Sequence, residues 1–244
     1  MTVRVGIGGW TYEPWRGVFY PEGLAHRREL GYAARQLTAI EINATAYGRQ
    51  KPASWRKWRD AVPDGFQFSL KASRYATVRK VLADSGGSIA TFLQQGFTDL
   101  GDKLGPINWQ FADTKVFERD DFARWLDLIP GAQDGLKLRH ALEVRHPSFA
   151  DPAFLNFARA RNMAVVFADH DAFVRIEEQT ADFTYARLQR SVEEVETGYD
   201  EAALDGWAKQ VHGWAKGGRD VFVYFTSGAK VRNPAAAQAL IERL

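Results

Sequence analysis

Short apolar segments of this chain repeatedly end in polar residues that share one face of a predicted β-strand. In Ile40-Glu41-Ile42-Asn43, the two isoleucines lie on one face and the two polar residues on the other. Five further segments follow the pattern: 67–71, 108–111, 142–145, 165–169 and 185–189. Such alternation is typical of an antiparallel sheet with one face in water. Here, however, helical segments separate the strands, which predicts a parallel sheet and changes where the polar face points.

The hydrophobic periodicity predicts eight strands along the chain. They span 3–7, 39–43, 66–71, 107–111, 141–145, 164–169, 183–189 and 221–226. The intervening segments carry signals of helix starts. We expect Ser54 to cap one helix and Asp151-Pro152 to begin another. A third helix should begin at Asp200, and the last should run from Asn233-Pro234 to Leu244. This alternation predicts the α/β class and a single closed (β/α)8 TIM-type barrel.

An open doubly wound sheet would show the same alternation, but both faces of its strands lie under helices and should be apolar. A barrel interior, in contrast, can become polar towards its C-terminal mouth, so the polar face favours the barrel. Gly6 and Gly8 would share that interior and leave room beside the first strand.

Length and composition are those of an ordinary globular protein. At 244 residues, with no linker or change of composition, we predict one domain over residues 1–244. A formal charge of +2 calls for neither nucleic acid nor membrane as a partner. The chain has no cysteine, and its start lacks the apolar core of a signal peptide, so we expect a cytoplasmic protein.

Residues 8–21, Gly-Gly-Trp-Thr-Tyr-Glu-Pro-Trp-Arg-Gly-Val-Phe-Tyr-Pro, resemble the opening signature of the YecE-like barrels, known as domain of unknown function seventy-two. Further similar segments follow in family order: 41–47, Leu104-Gly105-Pro106 with Gln110, 143–148, 185–188 and Val223-Tyr224-Phe225. The resemblance covers nearly the whole chain and implies a TIM-type barrel whose biochemical function is not established.

The chain departs from the family pattern at four positions around the predicted mouth. The family pattern has an aromatic residue where Ala46 stands, a proline near Ala112, His-Gly at Gln189-Arg190, and an asparagine-containing sequence at Thr226-Ser227. These changes of chemical type suggest altered specificity or a lost activity.

The strand ends bring together a set of groups suited to acid–base chemistry. Glu143 and Glu41 are candidates for acid and base, Asp169 for a third carboxylate, and His146 for an imidazole that titrates near neutrality. Alternatively, the acids and the nearby cations neutralise each other as a buried ion network. A metal site built from the same carboxylates is not favoured, because no close-spaced ligand motif is present and three cations lie nearby. We therefore predict no metal and no cofactor.

The predicted mouth also has the residues needed to bind an anion. Arg145 and Arg187 offer planar guanidinium groups, and Lys71 offers a point charge. The Ser227–Lys230 loop leads to a predicted helix N-terminus, a place where barrels often bind phosphate.

The loop after the first strand is dense in aromatic residues. We expect most of them to pack on the barrel, with Trp10 and Tyr12 facing a ligand. Together with Arg74, Arg79 and Lys80, these rings could bind single-stranded nucleic acid by stacking and phosphate contacts. We do not favour nucleic acid as the partner.

The leading hypothesis is an enzyme, a hydrolase or lyase, acting on a small anionic or phosphorylated substrate at the barrel mouth. The alternative is a non-catalytic barrel that binds a ligand or nucleic acid. The candidate binding residues are Trp10, Tyr12, Asn43, Lys71, Gln110, Arg145, Arg187, Tyr224 and Ser227.

Overall fold

A computed structural model describes residues 2–244, and its main sheet is a ring of parallel strands. The strands are β1 (Val3–Gly8), β2 (Ala39–Ile42), β3 (Gln67–Lys71), β4 (Leu104–Gln110), β5 (His140–Glu143), β6 (Ala164–Val165 and Phe167–Asp169), β7 (Phe183–Leu188) and β8 (Asp220–Phe225). Consecutive strands pair in parallel, and β1 pairs with β8. The predicted TIM-type barrel is confirmed. A short antiparallel ribbon, Ala132–Gln133 with Leu136–Lys137, precedes β5.

Strand β6 completes the ring in two halves. Its first half pairs with β5 and its second half with β7. Between them, the Val166 N–H donates to the Leu142 carbonyl at 3.0 Å, so the irregularity does not separate β6 from β5.

Seven α-helices surround the strands. They are α1 (Glu29–Gln36), α2 (Pro52–Asp60), α3 (Gly86–Leu93), α4 (Arg119–Leu126), α5 (Pro152–Ala160), α6 (Glu201–Trp214) and α7 (Asn233–Ile241). Asp151 and Asp200 cap α5 and α6 as predicted, accepting from the backbone N–H groups of Ala153 and Ala203. Ser54 was expected to cap α2, but that helix begins earlier because Pro52 supplies a helical φ at its first position.

No helix forms between β6 and β7 in the part of the chain that the structure describes, although eight helices were predicted. Residues 170–182 are irregular instead. The Thr180 hydroxyl anchors this segment to the start of β6, since it donates to the Met163 carbonyl and accepts from the Val165 N–H. The side chain of Arg175 lies over the Phe167 ring at 4.8 Å, so the segment covers part of the outer face of β6.

The strands present different faces to two apolar clusters. The larger cluster joins the outer strand faces to the helices, where Trp55, Trp58, Trp207 and Trp214 pack as predicted. The smaller one lies inside the barrel and contains Ala39, Ala141, Ala164, Val166, Phe183, Tyr185, Phe222 and Tyr224. The described chain contains no helix long and apolar enough to cross a membrane.

The two glycines of β1 do not leave free space in the interior. A Cβ added at Gly6 would lie 1.8 Å from the carbonyl oxygen of Ala39. At Gly8 it would lie 2.9 Å from Nδ2 of Asn43 and 3.1 Å from Cγ2 of Thr226. The predicted room beside β1 is therefore filled, and Gly6 is required because β2 approaches β1 closely there.

Candidate functional site

A buried ion network lies inside the C-terminal half of the barrel, centred on Arg187 of β7. Its Nη1 donates to both carboxylate oxygens of Glu143, at 2.9 and 2.8 Å, and its Nη2 donates to Oε1 of Glu41 at 3.1 Å. Both carboxylates are fully buried, and Arg187 is 4% exposed. Because unpaired charges are costly to bury, the guanidinium group is what allows two carboxylates to occupy the interior.

Three further donors complete the network around the two carboxylates. Arg145 Nη2 donates to Oε1 of Glu143 at 3.0 Å, and Asn108 Nδ2 donates to its Oε2 at 2.9 Å. The Tyr185 hydroxyl donates to Oε2 of Glu41 at 2.6 Å. Asn108 and Tyr185 were not among the predicted site residues. Strand alternation could have identified them, because Asn108 lies on the same face of β4 as Gln110 and Tyr185 on the same face of β7 as Arg187, both of which were predicted.

The network determines the protonation state of its central groups. Burial alone would raise the pKa of Glu143, but Arg187 and Arg145, with the Asn108 hydrogen bond, lower it to about 2. Burial would lower the pKa of Arg187, but the two carboxylates raise it. Burial and the nearby Glu41 raise the pKa of Tyr185 well above its ordinary value. Glu143 is therefore an anion at neutral pH, and Tyr185 is a neutral hydrogen-bond donor.

Lys71, at the end of β3, lies beside the network without joining it. Its Nζ donates to Oε1 of Gln110 at 2.9 Å, and the residue is only 8% exposed. Within residues 2–244, no carboxylate oxygen lies within 4.0 Å of Nζ. Burial lowers the pKa of Lys71, and the nearby cations Arg187 and Arg145 lower it further, against the opposite effect of Glu41.

Several buried polar atoms near the mouth have no hydrogen-bond partner among residues 2–244. They are Nε of Arg145, Nε of Arg187, Nε2 of Gln110, Nε2 of Gln189, Oδ1 of Asn108 and Oγ1 of Thr226. Most of these atoms are donors. Below them, the Tyr224 and Ser69 hydroxyls share a 2.6 Å hydrogen bond, so Tyr224 belongs to the interior beneath the charged network.

Two predicted catalytic residues lie apart from Glu41 and Glu143. Asp169 has the strand parity of Phe167, which faces α6, and it lines a cavity of about 400 Å³ with Trp207 and Arg190. The prediction that Asp169 lies with the other carboxylates is wrong, because the alternation of side chains along the strand points Asp169 outward. His146 lies in the loop after β5, where its Nδ1 accepts from the Ser148 N–H.

The aromatic loop after β1 is mainly structural, as expected. Trp15 and Tyr20 are buried, and the Tyr20 hydroxyl donates to the Trp10 carbonyl at 2.6 Å. The Trp10 ring packs edge-on against Trp58 and against Phe68, in the layer between β3 and α2. It therefore does not have the ligand-facing position predicted for it.

The predicted phosphate loop uses its polar groups internally. Tyr12 packs against Trp15 and beneath Lys230, whose Nζ lies 4.1 Å from the centre of the Tyr12 ring. Ser227 is exposed with φ +63°, and its carbonyl accepts from Nδ2 of Asn233. Neither Ser227 nor Lys230 is hydrogen-bonded to the ion network. Asn43 is partly buried beside Gly8.

The irregular segment after β6 adds a ring to the mouth that sequence reasoning missed. Phe173 lies beneath the guanidinium group of Arg145 at 4.4 Å and stacks on His170 at 3.8 Å. The backbone supports this position, since the Val174 N–H donates to the Arg145 carbonyl. A helix was expected here, so no signal in the strand pattern identified Phe173.

A cavity of about 390 Å³ lies beside the mouth, between the loops after β2 and β3 and helix α3. Tyr47 and Tyr75 line it and are 66% and 48% exposed. The Arg74 guanidinium group lies over both rings, at 5.6 and 5.1 Å, and Arg49 and Arg79 also line the cavity. Within residues 2–244, no group of three or more His, Asp or Glu side chains is arranged to hold a metal ion.

Comparison with known proteins places this geometry in a family. A DUF72 family protein from Thermotoga maritima has a TM-score of 0.78 at 22% identity, over 99% of this chain and 97% of that one. One from Enterococcus faecalis has a TM-score of 0.72 at 16% identity, over 100% and 98% of the two chains. Curated proteins give no significant match.

A more distant fold neighbour is a putative vitamin-B12-independent methionine synthase from Listeria monocytogenes, with a TM-score of 0.50 at 10% identity over 98% of this chain and 95% of that one. At such identities, structural likeness shows the fold alone. The family model described as "Protein of unknown function DUF72", in contrast, matches residues 4–244. The chain therefore belongs to the DUF72 family, as its YecE-like motifs indicate.

Proposed function

We propose that this barrel binds a small anionic or phosphorylated substrate at its C-terminal mouth and acts on it as a hydrolase or lyase. The observation that carries the proposal is the surplus of buried donors: Nε of Arg145, Nε2 of Gln110 and Nε2 of Gln189 have no acceptor among residues 2–244. A buried donor without a partner costs about 1–3 kcal/mol. A ligand rich in acceptor atoms would remove this cost.

The balance of charge supports the same kind of ligand. Arg145 and Arg187 pair with the two carboxylates of Glu41 and Glu143, and Lys71 lies beside them, which leaves one positive charge when Lys71 is protonated. Arg145 is the cation best placed to reach a ligand, because 22% of its side chain is exposed against 5% for Arg187. Its planar guanidinium group suits a carboxylate or phosphate.

The two buried glutamates would have different roles in such a site. With its low pKa, Glu143 stays ionised at neutral pH and is suited to holding Arg145 and Arg187 in position, not to donating a proton. Glu41 has Arg187 as its one cationic partner within 4.0 Å in the described chain. Glu41 is therefore the residue to which we assign proton transfer.

Thermal melting with anions tests the binding part of the proposal. Inorganic phosphate and pyruvate should raise the melting temperature, while neutral glycerol at the same low concentration should not. Arg145→Gln should abolish the shift. Arg139→Gln is a matched control, since Arg139 is 23% exposed in its side chain, pairs with Asp220 at 3.2 Å and lies over Phe222 at 4.8 Å. No shift in the wild type, or equal shifts in both variants, would contradict the proposal.

Glu41→Gln separates an enzyme from a binding protein. It should keep the anion-induced shift while abolishing turnover of whichever phosphate ester or oxo acid the wild type consumes in a substrate screen. A wild type that shows the shift but consumes none of these compounds would favour the non-catalytic alternative.

Single-stranded nucleic acid is the second candidate ligand, favoured by the cavity beside the mouth. Exposed rings that stack on bases, combined with cations for the phosphates, are how single strands are held. Tyr47, Tyr75 and Arg74 form such a surface. Fluorescence anisotropy with a labelled oligonucleotide should then show binding that weakens with salt and is lost in Arg74→Ala. Binding that is unchanged in this variant would exclude the surface.

A further inference from the structure

The position of Lys71 differs from that of the other deeply buried lysine of the barrel. Lys103, at the opposite end, is 9% exposed, and its Nζ donates to the carbonyls of Arg59 and Val62 and lies 3.8 Å from Asp64. Lys71 is buried to the same degree, but its Nζ has a single partner, the neutral amide of Gln110. The ammonium group of Lys103 thus has two carbonyl acceptors and a nearby carboxylate, whereas Nζ of Lys71 has one neutral acceptor and no carboxylate oxygen of residues 2–244 within 4.0 Å.

The surroundings of Lys71 combine an amine with anion-binding groups. Arg145 follows β5, the strand that pairs with the β4 strand of Gln110, and the amide nitrogen of Gln110, the partner of Lys71, is buried without an acceptor among residues 2–244. An anionic group bound by Arg145 and Nε2 of Gln110 would lie next to Nζ of Lys71. Burial and the neighbouring cations favour the neutral amine, which is the nucleophilic form, and they outweigh the opposite effect of Glu41 and Glu143 on the pKa of Lys71.

We propose that Lys71 is a reactive amine that forms a Schiff base with a small anionic carbonyl compound, of the class of the 2-oxo acids, whose carboxylate is held by Arg145. This inference rests on the proposed function and makes it more specific: the reaction is a lyase reaction that proceeds through an iminium ion. Phosphate-ester hydrolysis would need no such amine.

The proposed step balances without a further reagent. The lone pair of Nζ forms the C–N bond while the carbonyl π electrons move to oxygen, and a proton passes from nitrogen to that oxygen to give a carbinolamine. A second proton, from solvent, allows the C–O bond to break and water to leave. The product is an iminium ion that can accept the electron pair of an adjacent bond as it breaks. Burial and the positive charges of Arg187 and Arg145 favour the neutral amine before the step. The carboxylates of Glu41 and Glu143, which act against this shift, stabilise the positive charge that the nitrogen carries in the iminium ion.

Borohydride trapping with pyruvate tests the proposal on the full-length protein. Hydride reduces the iminium carbon to a stable secondary amine, so peptide mass spectrometry should find Lys71 heavier by the mass of pyruvic acid less one oxygen atom. The adduct should form on Lys71 in preference to the other lysines. Lys71→Arg, which keeps a long basic side chain but has no amine that can form an imine, should lose the adduct completely, whereas Lys103→Arg should be labelled like the wild type.

The outcomes separate this inference from the proposed function. A pyruvate-induced melting shift without an adduct on Lys71 would overturn the Schiff base and leave anion binding intact. Neither a shift nor an adduct would overturn both. Equal labelling of Lys71 and the exposed lysines would also overturn the inference. Because peptide mapping of the wild type identifies the modified residue directly, the test holds even if Lys71→Arg fails to fold.

Discussion

The two arginines at opposite ends of β5 differ in how many of their side-chain nitrogens have hydrogen-bond partners. Arg139, before the strand, donates to Asp220 and Gln67 and lies over Phe222. Arg145, after the strand, pairs with Glu143 and lies over Phe173, but its Nε is buried without an acceptor. The contrast extends beyond this pair, since six of the eight such unpartnered atoms among residues 2–244 lie around the mouth.

This difference separates an end of the barrel whose polar groups pair with each other from an end whose buried donors lack acceptors, the end at which we propose ligand binding. Buried polar groups are normally satisfied in folded proteins, and the exceptions concentrate where a ligand or ordered water completes the structure. At the N-terminal end, most polar groups pair with each other, the exception being Nη1 of Arg4. At the mouth, every oxygen of the two carboxylates accepts at least one hydrogen bond, and most of the unpartnered atoms are donors. Substitutions should therefore affect stability and binding differently at the two ends.

The largest effect is expected from Arg187→Met. Removing the guanidinium group leaves Glu41 and Glu143 buried without their shared cation, which should lower the free energy of unfolding by about 3–5 kcal/mol. Urea denaturation at neutral pH measures the loss. Arg139→Met should cost less, since 23% of that side chain is exposed. Equal losses of unfolding free energy would show that the ion network at the mouth contributes no more to stability than the contacts of Arg139 at the opposite end.

Acid should destabilise the two ends in different pH ranges. Burial lowers the pKa of His140, at the start of β5, from 6.5 to about 4. Because the unfolded chain binds this proton first, stability should fall by about 3 kcal/mol as the pH drops from 6.5 to about 4. Glu143, lowered from 4.5 to about 2, should cause a further loss between those two values.

Urea denaturation across this pH range, repeated with His140→Gln, tests the assignment. The variant should lose the decrease between pH 6.5 and 4 and keep the one below it. An unchanged pH profile would mean that other groups cause the upper decrease.

A smaller contrast is expected between the two tyrosines of the interior. Tyr185→Phe removes a hydrogen bond to the Glu41 carboxylate and should cost about 1.5–3 kcal/mol. Tyr224→Phe removes a neutral bond to Ser69 and should cost about 0.5–1.5 kcal/mol. Denaturation of both variants side by side gives the difference. A larger loss for Tyr224→Phe would contradict the view that hydrogen bonds to the ion network stabilise the barrel more than neutral hydrogen bonds in the interior.

The smallest effect is expected at Arg190, which lies at the rim. Its side chain is 53% exposed, and it pairs with Asp171 at 3.3 Å and Asp169 at 3.8 Å. Arg190→Ala should change the free energy of unfolding by about 0–1 kcal/mol, because solvent screens such pairs. It should also leave the anion-induced melting shift in place. Loss of that shift would extend the ligand-binding region beyond the barrel interior.

Much of the site could be predicted from the order of residues within strands. Glu41, Lys71, Glu143 and Arg187 share the interior because parallel strands with period two bring equivalent positions to one ring. The same rule, applied strictly, excludes Asp169, which has the parity of Phe167. Phe173 could not be predicted, because it depends on a connection where a helix was expected and none forms.

Alternating polarity and regular strand spacing determined the class of fold and the end of the barrel where charges collect, since both depend on local periodicity. The YecE-like motifs placed the chain in its family. Tertiary structure decided how the charges pair: Arg187 joins the carboxylates of two strands far apart in sequence, while Lys71 has only an amide partner. Pairing depends on the distances across a closed ring, and these arise only once all eight strands have assembled.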